Sequence, residues 1–300
     1  MSEFKKYIEI ENSYRQKYIN EHLEYHPQCK EVKYIYQVKL DGSNISFWFW
    51  PDGTFRIAKR SGFISEEENF QGINSVLPKY QEIIEFGKQK AKEINNVFVC
   101  YGELFGKGIQ NRIDYGPDKY ITFFDVRVGE KMLVYDEMSD LIGIDHPLFY
   151  DYYFIDTFGT YSFDEIFDIP VPEGHEGIVI KPYNRIDNER PLILKKKSPE
   201  FEEKMKTKKK KEHKPEDPHI TQLKGNFLEY INKNRVLSVF SKEGEIESPD
   251  QIGKYIQLVM EDVIKDFEKD IDILDFERKD LKQVYKAGNK EVVSILKEYL

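Results

Sequence analysis

The chain holds 300 residues, of which 40% are hydrophobic, 33% charged and 14% aromatic, enough to bury the cores of about two soluble domains. A formal net charge of -9 argues against indiscriminate nucleic-acid binding, and no apolar run reaches membrane-spanning length. The two cysteines, Cys29 and Cys100, form no CxxC pair and the six histidines are scattered, which disfavours a zinc site and a disulfide framework. A reducing, cytoplasmic setting and no membrane partner are expected, because the opening MSEFKKYIEIEN has no apolar stretch of the kind a secretory signal needs.

In chain order, residues 13–25 predict a helix capped by Ser13, with Tyr14, Tyr18 and Leu23 on one face and Pro27 ending it. His22 and His26 read as its solvated end. Residues 32–38 alternate as a strand that runs into Lys39 and turns on Asp41-Gly42. Taken alone, that turn reads as a hairpin with one exposed lysine. A second strand follows over 44–50, with Trp48 and Trp50 packing on one face, and a third over 54–59 that closes on Lys59-Arg60. Residues 75–94 predict a helix with Pro78 in its first turn. VFVCY at 97–101 is a short buried strand ending at Gly102-Glu103, 105–118 is a loop, and 120–128 is a strand carrying Phe124 and Asp125. Residues 148–168 are aromatic and acidic without a clear period. Glu176 leads into a strand that ends near Pro182, and 191–197 forms a strand ending in Lys195, Lys196 and Lys197.

The composition then shifts. Residues 195–214 hold ten lysines against four glutamates, a local cationic strip on an acidic body that can contact phosphate or simply be a solvated linker. Beyond it the apolar period becomes helical. Ile220, Leu223, Phe227, Tyr230 and Ile231 share one face, and Ser248-Pro249-Asp250-Gln251 has the form of a capping box. The next helix carries Ile252, Tyr255, Ile256, Val259, Met260, Val263, Ile264 and Phe267. Another starts at Leu281 and stops near Gly288, and a last one runs through Val292, Leu296 and Tyr299. The expected class is α+β: a strand-rich domain at 1–207, a charged linker at 208–217 and a small all-α domain at 218–300.

Five polar clusters close predicted strands: Lys39–Asn44, Lys59-Arg60, Glu103, Glu176 and Lys195/Lys197. Convergent cations and carboxylates suit a nucleoside triphosphate, since lysines beside an α-phosphate stabilise the charge that develops during attack. The phosphate loop GxxxxGK[ST] is absent, so a P-loop site is disfavoured. Each cluster alone has a plainer reading. Glu103 and Glu176 could be loop carboxylates, Phe124 core, Arg235 a helix-surface residue, and the lysines a solvated charge run.

KLDGSN resembles the nucleophile motif KxDGxN of the covalent nucleotidyltransferases. KRSG, VCYGELFG, TFFD, EGIVIKP and LILKKKS follow in that superfamily's order. FKKYIEIENSY, GKGIQNRIDYG and NRVLSVFSKEGE narrow the resemblance to the RNA ligase 2 family and extend it over nearly the whole chain. The resemblance implies an ATP-grasp-like nucleotidyltransferase domain of antiparallel sheets with flanking helices, followed by a helical C-terminal domain. It further implies an ATP-dependent RNA ligase that seals 3′-OH and 5′-phosphate ends, nicked duplex RNA by preference, acting as a monomer with Mg2+ or Mn2+.

Carried over residue by residue, the resemblance makes Lys39 the residue that becomes lysyl-AMP. Arg60 and Glu103 contact ribose or phosphate, and Phe124 stacks on adenine. Glu176 holds the metal, and Lys195 and Lys197 contact the α-phosphate, Lys195 also helping to keep Lys39 deprotonated. Asn44, Phe70 and Arg235 serve the RNA end. One position departs from the pattern: Asp41 stands where the RNA ligase 2 proteins usually carry histidine, and aspartate is the form found in DNA ligases and capping enzymes. The alternatives are therefore a DNA ligase or a capping guanylyltransferase with the same lysine chemistry, or a catalytically silent RNA-end-binding protein.

Overall fold

The computed structural model describes residues 4–143, 154–185, 190–202 and 218–299, apart from residues 247, 272, 274 and 275. They form two compact units, 1–200 and 201–300. The expected linker at 208–217 lies outside the described residues, as does part of the unassigned stretch at 148–168.

The first unit carries eleven strands: β1 (Glu11–Asn12), β2 (Tyr34–Lys39), β3 (Ser43–Phe49), β4 (Phe55–Lys59), β5 (Gly62–Phe63), β6 (Phe98–Gly106), β7 (Lys119–Val128), β8 (Lys131–Met132), β9 (Thr157–Tyr161), β10 (Gly177–Pro182) and β11 (Leu194–Lys197). They form a five-stranded sheet in the order β1-β11-β10-β2-β9 and a six-stranded sheet in the order β5-β4-β3-β6-β7-β8. All pairs are antiparallel except β1 with β11. Helices α1 (Gln16–Tyr25), α2 (Gln81–Glu93) and α3 (Tyr135–Ile142) flank them.

The turn at Asp41-Gly42 is not a hairpin. β2 pairs with β9 and β10 in one sheet, while β3 pairs with β4 and β6 in the other. The turn therefore carries the chain between sheets, and Lys39 sits where they part. Gly42 is required there, because a Cβ would collide with the Leu104 carbonyl and lie 2.9 Å from Glu103 Cγ.

Strand parity then fixes which side chains line the cleft. On the five-stranded sheet Tyr34, Ile178, Ile180 and Leu194 point to a core closed by Ile19 and Ile166. The opposite face carries Ile35, Gln37 and Lys39 on β2, with Val179 and Lys181 on β10 and Lys195 and Lys197 on β11. On the six-stranded sheet Phe47, Phe98, Cys100 and Phe123 pack on Ile83 and Ile84. The other face carries Trp48, Trp50, Val99 and Tyr101, which pack on Tyr7 of the N-terminal segment, and continues to Asn44 and Glu103. Trp48 and Trp50 are thus packing residues, and both cysteines are buried and unbridged.

Several local expectations give way to tertiary structure. α1 starts at Gln16, not at Ser13, because the Ser13 N–H is bonded to the Lys195 carbonyl beside the β1–β11 pair. Its buried residues are Ile19 and His22, while Tyr14 is half-exposed. His22 is no solvated end, since its Nε2 lies 2.9 Å from the Arg190 carbonyl. Pro78 belongs to a 3-10 turn ahead of α2. β6 continues past Tyr101, so Glu103 lies within a strand and not beyond one.

The second unit packs α4 (Pro218–Leu228), α5 (Lys233–Glu243), α6 (Ile252–Asp270) and α7 (Arg278–Leu296) around Phe227, Val236, Phe240, Val259, Val263, Phe267, Val284 and Val292. Pro249–Gln251 forms a 3-10 turn before α6, which has no side-chain cap, so the capping box is not made. α7 runs straight through Gly288, where two helices were expected. No helix among the described residues is long and apolar enough to cross a membrane.

Candidate active site

Register places the chemistry. Lys39 on β2 is paired with Gly177, and Gly177 with Lys197 on β11. Glu176, one residue before β10, is therefore bracketed by two ammonium groups. Lys39 Nζ donates to Glu176 Oε2 at 2.5 Å, and Lys197 Nζ lies 3.0 Å from Glu176 Oε1. Burial alone would push the Glu176 carboxyl up. The two lysines outweigh it and hold the group down at about 2. Lys197, rather than Lys195, shares this carboxylate with Lys39. Lys195 lies two residues back along the same face, opposite Val179.

Across the cleft, Asn44 is paired with Glu103, and Asn44 Nδ2 donates to the Gly102 carbonyl at 3.4 Å. Burial pushes the Glu103 carboxyl up to about 8; Lys39 opposes the shift, and the charges of Glu176 and Asp41 add to it. Arg60, beyond the end of β4, is a further charge in its field and donates to the Ile8 carbonyl at 3.4 Å. So the structure brings together Lys39, Arg60, Glu103, Glu176 and Lys197 from five separate stretches of chain.

Phe124 sits at a bulge. The β6–β7 register shifts between Tyr101 and Gly102, which leaves Phe124 as the extra residue between Phe123 and Asp125. Its ring meets Tyr7 edge-on with centroids 5.3 Å apart. Asp125 accepts from Tyr7 Oη and from Lys181 Nζ, the latter at 2.8 Å. Lys181 also donates to the Phe124 carbonyl at 3.1 Å and lies 5.1 Å over the Phe124 ring. This buried set ties β10 of one sheet to β7 of the other and braces the aromatic platform. Phe124, Gln37, Asp125 and Lys181 line a cavity of about 260 Å³.

Two residues proposed for the RNA end are placed differently. Phe70 is buried in the core of the six-stranded sheet, with Lys59 Nζ 5.4 Å over its ring. The Arg235 side chain in the second unit is only 3% exposed, and its Nη1 pairs with Asp262 at 2.6 Å and Asp266 at 2.7 Å. Sequence reasoning passed over Tyr7, Gln37, Arg112 and Tyr115. Arg112 grips the buried Asp41 through Nε at 2.9 Å and through Nη2, and the Asp41 N–H donates to Tyr115 Oη at 2.9 Å. Their only signal was the segment GKGIQNRIDYG, whose loop has no periodicity to read.

These groups fit a nucleotide and a hard cation. Two lysines on one carboxylate await a phosphate, and the raised Glu103 carboxyl marks a place where added positive charge is favourable. Among the described residues no three Asp, Glu, His or Cys side chains form a ready-made metal cage. A divalent ion would therefore be held by Glu176 or Glu103 together with ligand phosphate and water.

Comparison with known proteins is consistent with this geometry. A family model described as RNA ligase matches residues 32–197, and one described as T4 RNA ligase 2 C-terminal matches residues 215–294. Among solved structures, a variant of the Naegleria gruberi RNA ligase with ATP and Mn is 18% identical at a TM-score of 0.50, over 66% of this chain and 57% of that one. A second variant of that protein, with AMP and Mn, is 16% identical at the same TM-score and covers the same shares. The chain thus spans a little over half the length of these solved relatives, and the likeness at this identity is one of fold.

Proposed function

Because the chain belongs to the RNA ligase family, we propose that it seals RNA ends with ATP through a nucleotide carried on Lys39. The observation that carries this reading is the Lys39–Glu176–Lys197 arrangement at the mouth of the cavity that Phe124 lines.

In this reading Lys39 Nζ, having lost a proton, attacks the α-phosphorus of ATP. The bond to the bridging oxygen breaks, pyrophosphate leaves, and Lys39 carries AMP through a phosphoramidate bond. An ammonium has no lone pair, so the ion pair with Glu176 must open before attack. Lys197 and Arg60 then face the negative charge that builds on the α-phosphate. The AMP passes to an RNA 5′-phosphate, and a 3′-OH attacks that phosphate and expels AMP. A magnesium or manganese ion held near Glu176 and Glu103 would supply charge neutralisation at the phosphates. Asn44, beside Glu103, is suited to the later steps. Phe70 would reach RNA only through Lys59 above its ring, and Arg235 only by giving up part of its hold on Asp262 and Asp266.

The test is incubation with ATP labelled at the α-phosphate plus magnesium, then denaturing electrophoresis. Wild type retains label and Lys39→Ala does not. Label retained by Lys39→Ala would sink the mechanism. Sealing of a nicked RNA duplex, compared with single-stranded RNA and nicked DNA, decides the substrate form.

A further inference from the structure

The mechanism leaves one buried polar group of the cleft without a task. Gln37 lies on β2 two residues before Lys39, so both side chains share the cleft face. It is 3% exposed. Its Nε2 donates to Thr157 Oγ1 at 3.2 Å, while its Oε1 is buried and has no hydrogen-bond partner among the described residues. Buried acceptors in native folds are paired as a rule, and an orphan one calls for an explanation.

Its surroundings indicate what is missing. Gln37 lines the cavity together with the Phe124 platform, whereas Lys39, Arg60, Glu103 and Lys197 do not line it. The charged groups thus mark the phosphate end of the cleft, and the cavity beyond them takes a flat base. Other polar groups on its wall are already engaged. Asp125 accepts from Tyr7 and Lys181, and Arg185 bonds Glu137 and the Met132 carbonyl. The acceptor left over is Gln37 Oε1.

We propose that Gln37 reads the purine: its Oε1 accepts a hydrogen bond from the 6-amino group of adenine, so that ATP is selected over a 6-oxo purine nucleotide. This rests on the cleft being the nucleotide site argued above. A 6-oxo group would set oxygen against oxygen and leave both acceptors unpaired, which is discrimination by mismatch as well as by match. The Thr157 hydroxyl can donate or accept. It is the bond from Gln37 Nε2 to Thr157 that commits the outward atom to acceptance.

The experiment compares three triphosphates: ATP, purine riboside triphosphate (hydrogen at position 6) and inosine triphosphate (oxygen at position 6). Binding is read on the full chain carrying Lys39→Ala, by ligand-induced thermal shift, so that it does not depend on the covalent step. Labelling of the chain with native Lys39 is read in parallel. ATP should be preferred over purine riboside triphosphate by about ten-fold or more in affinity and in kcat/KM. Adding Gln37→Leu should shrink that ratio to about three-fold or less, through weaker ATP binding (KM) and not through kcat. Gln37→Glu keeps an acceptor at that position and should keep the preference, which also settles the matter if the leucine variant does not fold. Equal binding of ATP and the riboside analogue, a preference for inosine triphosphate, no shift with any nucleotide, or a preference untouched by Gln37→Leu would each overturn the proposal. Selective binding without labelling would instead leave Gln37 reading the base and remove the lysyl-nucleotide mechanism.

Discussion

Arg112 holds both carboxylate oxygens of Asp41 from a position 71 residues further along the chain. The Asp41 side chain is 2% exposed and the Arg112 side chain 18%, so most of this pair is withdrawn from water. Burial pushes the Asp41 carboxyl up and the guanidinium draws it back part of the way. The pair pins the Asp41-Gly42 turn, and with it Lys39, to the loop after β6. Removing one partner leaves a buried charge uncompensated, so Arg112→Ala should cost about 3 kcal/mol in urea unfolding. Arg112→Lys should recover only part of that, because an ammonium cannot replace the two-point fork. The double variant Asp41→Asn/Arg112→Gln should be more stable than Arg112→Ala. If Arg112→Ala unfolds within about 0.5 kcal/mol of wild type, a range usual for surface changes, the pair does not brace the turn.

Lys197 shares Glu176 with Lys39 but need not accept the nucleotide. Lys197→Ala should leave the fold intact by circular dichroism and slow labelling of Lys39 from ATP by about 100-fold, the usual loss when one preorganised donor to a developing charge is removed. Unchanged labelling would confine Lys197 to holding Glu176 in the free protein.

Glu103 sets a pH dependence of stability with a definite sign. Its folded-state carboxyl lies at about 8 against an ordinary value of 4.5. Between those values the native state binds the proton and the unfolded chain does not, so this group's contribution to stability falls as pH rises from about 4.5 to about 8. Glu103→Gln cannot ionise. The ligand-free variant should therefore gain in Tm over wild type, and gain more at pH 9 than at pH 6. An equal difference at both values would mean that Glu103 titrates in its ordinary range.

The parts of the site legible in the sequence were those that end a strand on a cation or carry a carboxylate beside glycine. Lys39, Glu176 and Lys197 are of this kind, and ladder register does bring them together. Glu103 was found, though inside a strand, because β6 is longer than its apolar core. Pairing choice was not legible: β2 and β3 read as a hairpin since a turn specifies a reversal but not which sheet each arm joins. Arg112 was missed because loop residues carry no period. Phe70 looked available for RNA because an aromatic in a polar stretch gives no sign of the core that receives it.

Gly288 shows the same limit in the helical unit, and there it can be tested against a matched partner. A glycine late in an apolar repeat reads as a helix stop, since glycine is the common residue past a helix end. Gly288 instead lies within α7, where a Cβ would collide with the Phe227 ring and come within 3.0 Å of Ile231 Cδ1. Close packing of α7 on α4 requires the missing side chain. Gly225, within α4, has nothing within 4 Å of its Cβ position. Alanine favours an exposed helix interior over glycine by about 1 kcal/mol, so Gly225→Ala should raise the Tm. Gly288→Ala gains the same propensity but forces two buried side chains off their positions, a cost of about 1–3 kcal/mol, and should lower it. Parallel thermal unfolding of the two variants decides the point. A rise in both would mean that Phe227 and Ile231 can give way, and that Gly288 does not set the spacing of the two helices.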